Sequence, residues 1–589
     1  MDLVTLALAK SYIDKKIGEE GIVTGATPQQ AAQIEQNKTN IADLQTEVDE
    51  LKESGGNGSG DNVDLTGYAT EQWVQEGFQP KGNYLTSVPI ANTATLGGVK
   101  PTIGKGPTMT QPVAVDDDGG LWTEPGASGT LLVAAADAPD TIKSVAQYVC
   151  TGVNDQLIIN AAIVAVGKGE VRLSGGNYGI TGDIILRDDV TVMGRNAILN
   201  VCDEISSTVT QAYAGGDTVI YVEDASVFVL GQMVSTDAEI AAKYDCHITD
   251  IDTADNTVTL DKPLSTTNGF DADTYRLVAD FSVFYCQGVS NVTIEGIIIN
   301  GNKESYGFYD TTYGGNGILF REASQCKAIR CTVNKARGHG ILTTMSAQCQ
   351  VLNCIADACQ NLGIDTYGGD GGHLIHGCVA KNCDSIGFQC HSAVNTIISN
   401  CIAVNCYVGI SAQEAPDNVV ITGCEVYDSS QCGIKCVAKR GKMVNIVGNT
   451  IIGGSLDGIQ IDAASNASDF VVSNNIIKSP TRNAINVIGV HGFSISGNHI
   501  INPFAADTAA AISNNAAIKM SGTASNGLIS GNHIILDADD TTGCACGIAE
   551  YNLTGDNNVV VNNVIRGARI AATQKLGANS MFENNYEFA

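Results

Sequence analysis

Ten times between residues 331 and 563 a short β-branched strand ends on a Cys or an Asn, and this recurrence limits what the chain can fold into more than any other feature. The column reads Cys331, Cys354, Cys378, Cys401, Cys424, Asn449, Asn475, Asn498, Asn532 and Asn563, closing segments such as AIRC, IISNC, NIVGN and VVVNN. A second column keeps step with it: Gly317-Ile318, Gly340-Ile341, Gly363-Ile364, Gly387-Phe388, Gly409-Ile410, Gly433-Ile434, Gly458-Ile459, Ala484-Ile485, Ala517-Ile518 and Gly547-Ile548. A repeat of about 23 residues holds two or three strands of about four residues with sharp corners, too little to bury a face alone. Coils must therefore stack at about 4.8 Å, and the product is a parallel β-helix, an all-β solenoid.

The column residues fit an inward corner. An Asn amide there bonds the next rung's Asn and satisfies bent backbone, and a Cys fills the same space with a soft apolar atom. A further thiol column, Cys359, Cys383 and Cys406, supports this structural reading. Zinc is the sharper alternative, but ladder thiols point in parallel instead of converging on a tetrahedron, and no paired C-x-x-C occurs. No metal or other cofactor is expected. The 19 Cys are odd in number and read as thiols of a protein assembled in a reducing cytoplasm.

Charge narrows the partners. With 33 basic and 63 acidic residues the chain carries −30, so nucleic acid and anionic membrane surfaces, which need a basic footprint, are excluded as main partners. No apolar run reaches the roughly 20 residues of a membrane span, and no secretory signal is expected at the N-terminus.

Ahead of the repeats, residues 1–55 read as a short helix followed by a heptad seam at Ile34, Asn37, Ile41, Leu44, Val48 and Leu51, an attachment and oligomerisation segment. Residues 56–62 are a Gly/Ser linker. In the small β module of 63–128, LGGVKP and a predicted hairpin ending GGLW resemble modules along the tail fibres of phages and prophages of Gram-positive bacteria. Asp116, Asp117 and Asp118 read as its turn. From residue 141, SVAQYVCTGVNDQLIINAAIVAV and the coils after it resemble pectate-lyase-like proteins. That likeness implies a right-handed β-helix over 141–589, with a capping helix at Asp155 to Val166. Residues 206–280 break the pattern and read as a β insertion.

Strand alternation from the inward Ile or Phe of the second column sends the next and third-next residues outward. Asp365, Tyr367, Gln389, His391, Gln413, Glu414 and Lys435 thereby gather on adjacent rungs, the inventory for holding a sugar chain, with a plain solvated face as the bland reading. The loop GGDGGH adds Asp370 and His373 on a Gly hinge. Glycoside hydrolysis needs two carboxyls about 5 Å or 6.5–9.5 Å apart. Asp365 and Glu414, read as two rungs apart at roughly 9–10 Å, fit the long limit, and Asp365 with Asp370 is the closer choice. A lyase would use His391 or Lys435 as base. Tyr367, Gln389, Gln413 and Lys435 are the expected sugar contacts. GHGI at 338–341 resembles a polygalacturonase motif, but the Asp-bearing segments that should precede it are missing, so it is set aside.

Together the resemblances imply a phage tail spike or tail fibre: a homotrimer located in the virion and assembled in the host cytoplasm. It would meet other tail or baseplate proteins through its N-terminus and bind, or depolymerise, a host surface glycan. The rival readings are a non-catalytic fibre or adhesin and a bacterial polysaccharide lyase or epimerase.

Overall fold

A computed structural model describes residues 113–115, 121–123 and 129–588, apart from 237–245, 265–268, 270, 306–313, 440, 455, 464–466, 504–515, 537–545 and 569–570. The chain divides into residues 1–100 and 101–589, and every described residue belongs to the second unit. The heptad seam, the linker, LGGVKP and Asp116–Asp118 lie outside the described residues, although Val113–Val115 and Leu121–Thr123, on either side of the three aspartates, pair as an antiparallel hairpin.

Beyond residue 129 the strands collect into three parallel sheets, of 13, 16 and 14 strands. Each coil contributes one strand to each sheet, and the repeat decides the register. Ile318 pairs with Ile341, Ile364 with Phe388, and Ile410 with Ile434 on successive rungs of the 13-stranded sheet. These side chains are 0 % exposed, so the core is a stack of identical apolar layers enclosed by the sheets. The fold is a right-handed parallel β-helix.

The glycine before each Ile is a packing requirement. A Cβ on Gly363 would lie 2.5 Å from the Gly387 carbonyl oxygen and 2.9 Å from Ala380 Cβ. The backbone therefore turns two consecutive positions, Gly and Ile, towards the interior, and any side chain on the first would collide with the next coil. At Ala484 and Ala517 a methyl stands in the same place.

The corner column behaves as its chemistry dictates. Asn449, Asn475, Asn498 and Asn532 each donate Nδ2–H to Oδ1 of the next Asn at 2.9–3.0 Å and to a backbone carbonyl at 3.0 Å. The ladder runs one rung past the column read from sequence, Asn563 donating to Asn585 at 2.9 Å. In the first half, thiols stand in the same place and donate to carbonyls at 3.3–3.7 Å. Of the 18 described cysteines all but Cys202 are buried.

The helix Asp155–Val166 covers the N-terminal coils. Asp155 ties it down, accepting from the amides of Thr151, Gly152 and Gly179. Residues Ser206–Ala279 depart from the solenoid as a six-stranded antiparallel sheet with its own apolar core around Val209, Ile220, Val258 and Leu277.

Candidate functional site

Because Gly and Ile both face inward, two columns face outward on the 13-stranded sheet: the residue two before each Ile and the residue just after it. The first includes Asn316, His339, Leu362, Ile386 and Val408, of which the last three form an apolar cluster separate from the main core. The second includes Asp365, Gln389, Ser411, Lys435, Gln460, Asn486 and Lys519, paired rung to rung.

This double column corrects the exposure expected of Asp365. Alternation gives the side of the sheet and not the exposure: Asp365 is 2 % exposed and Gln389 6 %, because outward neighbours on both columns close over them. Asp365 Oδ1 has no hydrogen-bond partner, and Oδ2 lies 3.7 Å from His339 Nε2. Burial pushes the Asp365 carboxyl up to about 8 and the His339 imidazole down to about 4, so both are neutral at pH 7. Asn316 Oδ1 accepts from the His339 amide at 2.9 Å and faces Nδ1 at 3.1 Å. With the proton on Nδ1, Nε2 is an acceptor, approached by Asn361 Nδ2 at 3.5 Å. His339 is the central residue of the GHGI segment; its spacing from Asp365 was the signal that could have found it.

The other candidates separate into groups. Tyr367 is 43 % exposed and meets His391 edge to face, ring centroids 4.6 Å apart. His391 pairs in register with Gln413, whose Nε2 donates to Ser411 Oγ at 2.9 Å. Glu414 stands next along that strand, ion-paired with Lys439 at 2.8 Å, and the hydrogen bond from Lys439 holds its carboxyl below the usual range. Burial lowers the His391 imidazole. Lys435 donates to Gln431 Oε1 at 2.9 Å. Asp370 is exposed on a loop whose Gly368, Gly369, Gly371 and Gly372 all have positive φ.

Two expectations change. In register, Asp365 aligns with Ser411 and not with Glu414, which lies three residues further along. Three residues at about 3.3 Å and two rungs at about 4.8 Å place the two carboxyl-bearing backbones about 14 Å apart, beyond the range of a hydrolytic pair. His373, expected on the Gly hinge, is 2 % exposed in a column with Cys349 and Thr396, where burial pushes it down to about 4.

Sequence reading missed a second concave surface. On the outer face of the 14-stranded sheet a cavity of about 490 Å³ is lined by Asn200, Asn300, Asn302, Glu304, Asn334, Lys335 and Asp357. Asn334 donates to Asn300 at 3.1 Å, Asn300 to Asn200 at 2.8 Å and Asn200 to Asn177 at 3.1 Å. Among the described residues no group of three His, Cys, Asp or Glu is arranged to hold a metal ion, and no helix is long and apolar enough to cross a membrane.

The family model described as right handed beta helix region matches residues 279–392 and 367–500, over most of the coils that carry the two columns. No curated protein matches the chain. Similar solved structures include the A-module of mannuronan C-5 epimerase AlgE6 of Azotobacter vinelandii, at 16 % identity and TM-score 0.48, covering 74 % of this chain and 96 % of that one. The tailspike gp49 of Pseudomonas phage LKA1 aligns at 13 % identity and TM-score 0.39, covering 73 % and 76 %. The N-terminal fragment of bacteriophage Phi29 gene product 12 aligns at 13 % and 0.46, covering 74 % and 69 %. Likeness at this level leaves the chemistry of each sheet face to be read from its own residues.

Proposed function

We propose that this protein is a tail-spike-type receptor-binding protein that holds a host surface polysaccharide against the outer face of the 13-stranded sheet. The observation that carries the reading is the half-exposed Tyr367–His391 ring pair, with Gln413 and Glu414 on the next strand and Lys435 on the one after it. An aromatic edge beside hydrogen-bonding groups repeated at about 4.8 Å suits a polymer of stacked rings and hydroxyls. The tail location, the homotrimer and attachment to other tail or baseplate proteins through residues 1–55 rest on the heptad seam and the LGGVKP module, as does assembly in the host cytoplasm before incorporation in the virion.

A second reading, depolymerisation, is favoured by Asp365. A carboxyl kept protonated to about pH 8 is the state a general acid needs. Its partner would come from Asp370 or, for a lyase, from His391 or Lys435, with Glu414 too distant. Burial of Asp365 favours binding over cleavage, since a substrate oxygen must reach the acid. Immobilised protein exposed to a panel of host surface glycans, with parallel reducing-end and unsaturated-uronate assays, tests both. Binding without product is the expected result. Release of product that Asp365→Asn abolishes would establish the enzyme, and no binding to any surface glycan would sink the proposal.

A further inference from the structure

Two rungs towards the C-terminus from His391, the same outward face changes character. Lys435 and Lys519 stand in one column, three rungs and about 14 Å apart, and Arg482 lies on the rung between Gln460 and Lys519. In a chain of net charge −30, none of these three cations forms an ion pair among the described residues. Lys519 is 8 % exposed and its ammonium stands over the Tyr551 ring, 4.7 Å from the centroid. Burial and the Arg482 charge push it down, while Asp457 holds it up. The Cys432 thiol likewise feels Asp457, Lys435 and Arg482, so the charges form one group.

The acidic residues here offset it only in part. Asp457 is 2 % exposed and its carboxylate is occupied by Asn483 N–H at 3.1 Å, Asn483 Nδ2 at 2.7 Å and Asn486 Nδ2 at 2.8 Å. Asp462, on the strand of Gln460, leaves the group at net positive charge. The bonds to Asp457 also fix both amide orientations, and they leave Asn483 Oδ1 and Asn486 Oδ1 buried without a donor. A nearly buried ammonium without an ion pair among the described residues and buried amide oxygens without donors are each costly alone. A carboxylate on the ligand answers the cations, whereas Asn483, 0 % exposed, and Asn486, 4 % exposed, are closed to it and hold Asp457 in place.

We infer that Lys435, Arg482 and Lys519 form a subsite for a sugar acid, so that the polysaccharide held on this face is an acidic one. The inference deepens the proposed function and rests on it. The test measures binding of the full-length protein to polygalacturonate, hyaluronate, a glycerol-phosphate polymer and neutral dextran, at low and moderate salt. A carboxylated polymer should bind best and weaken with salt. Lys519→Met and Arg482→Gln should each weaken it at least tenfold without loss of fold. Lys519→Met should raise the melting temperature, because it removes an unpaired buried charge. Preference for dextran with unchanged binding by both variants would overturn the acid subsite and leave the glycan face standing. Preference for the phosphate polymer would overturn the sugar-acid assignment. Binding neither to any of the four nor to any host glycan would remove the underlying reading as well.

Discussion

Asp365 and Asp183 are both buried carboxyls pushed up to about 8, against 3.8 for the free group, while His339 and His373 are pushed down to about 4 from 6.5. Between pH 4 and 6.5 the native carboxyls hold protons that the unfolded chain releases, and the native histidines lack protons that it binds, so the two effects oppose. Above pH 6.5, of these four groups only the carboxyls differ; they bind more protons in the native state, and their contribution to stability falls as pH rises to 8. We expect roughly 1–2 kcal/mol lost per carboxyl across that window. Asp365→Asn should leave stability at pH 6 within about 1 kcal/mol of wild type and flatten the decline, read from urea melts at pH 6, 7 and 8; an unchanged decline would mean that Asp365 is ionised in the fold. On the proposed glycan face, Tyr367→Ala and His391→Ala should each weaken polysaccharide binding several-fold with little change in melting temperature, as expected of half-exposed side chains. The side of the sheet on which Asp365, Gln389 and Lys435 lie was legible because alternation assigns the outer face. Their exposure was not, since whether Asp365 is covered depends on the second outward column, and a strict two-residue period does not contain it. The doubled inward step at Gly363-Ile364 creates that column.

The coil was the most legible element, and the reason is physical. Each rung must repeat the layer below it, so the Gly-Ile and Cys/Asn columns are enforced at every turn and appear in the sequence as a period. Irregular pieces have no such template. The insertion could be recognised as a break, but its six-stranded order could not be read from alternation, because antiparallel strands leave no rung-to-rung register in the sequence. The cavity beside Asn200 and Asn300 was hidden for a related reason: 100 residues separate two amides that bond directly. Two substitutions test the column account. Gly363→Ala should cost about 1–3 kcal/mol, the usual range for overpacking, because its methyl meets a carbonyl and Ala380. Asn475→Ala removes the acceptor used by the Asn449 amide and side chain and should cost at least about 2 kcal/mol. Denaturant midpoints measure both, and near-neutral values would show that coils relax around single rungs.

For the whole molecule, assembly is the open property that the proposal commits to. If packing between β-helices contributes to the trimer, a fragment beginning at Ala127, which keeps the strand Gly129–Ala134 paired with Gly169–Leu173, should still sediment partly as a trimer. A wholly monomeric fragment would assign assembly to the preceding residues. Within each chain, the change of the corner column from sulfur to amide, between Cys424 and Asn449, has a mechanical consequence. On the amide side every rung is latched to the next through one oxygen that receives two N–H bonds, whereas the thiol side has only weak donors. In a stack where each coil touches only its neighbours, opening starts at the weakest interface and spreads from there. Hydrogen exchange should therefore release the amides of residues 318–424 before those of 449–566. Pulled along its axis, such a stack behaves as a cable spliced from two grades of wire, and it stretches in the softer grade first.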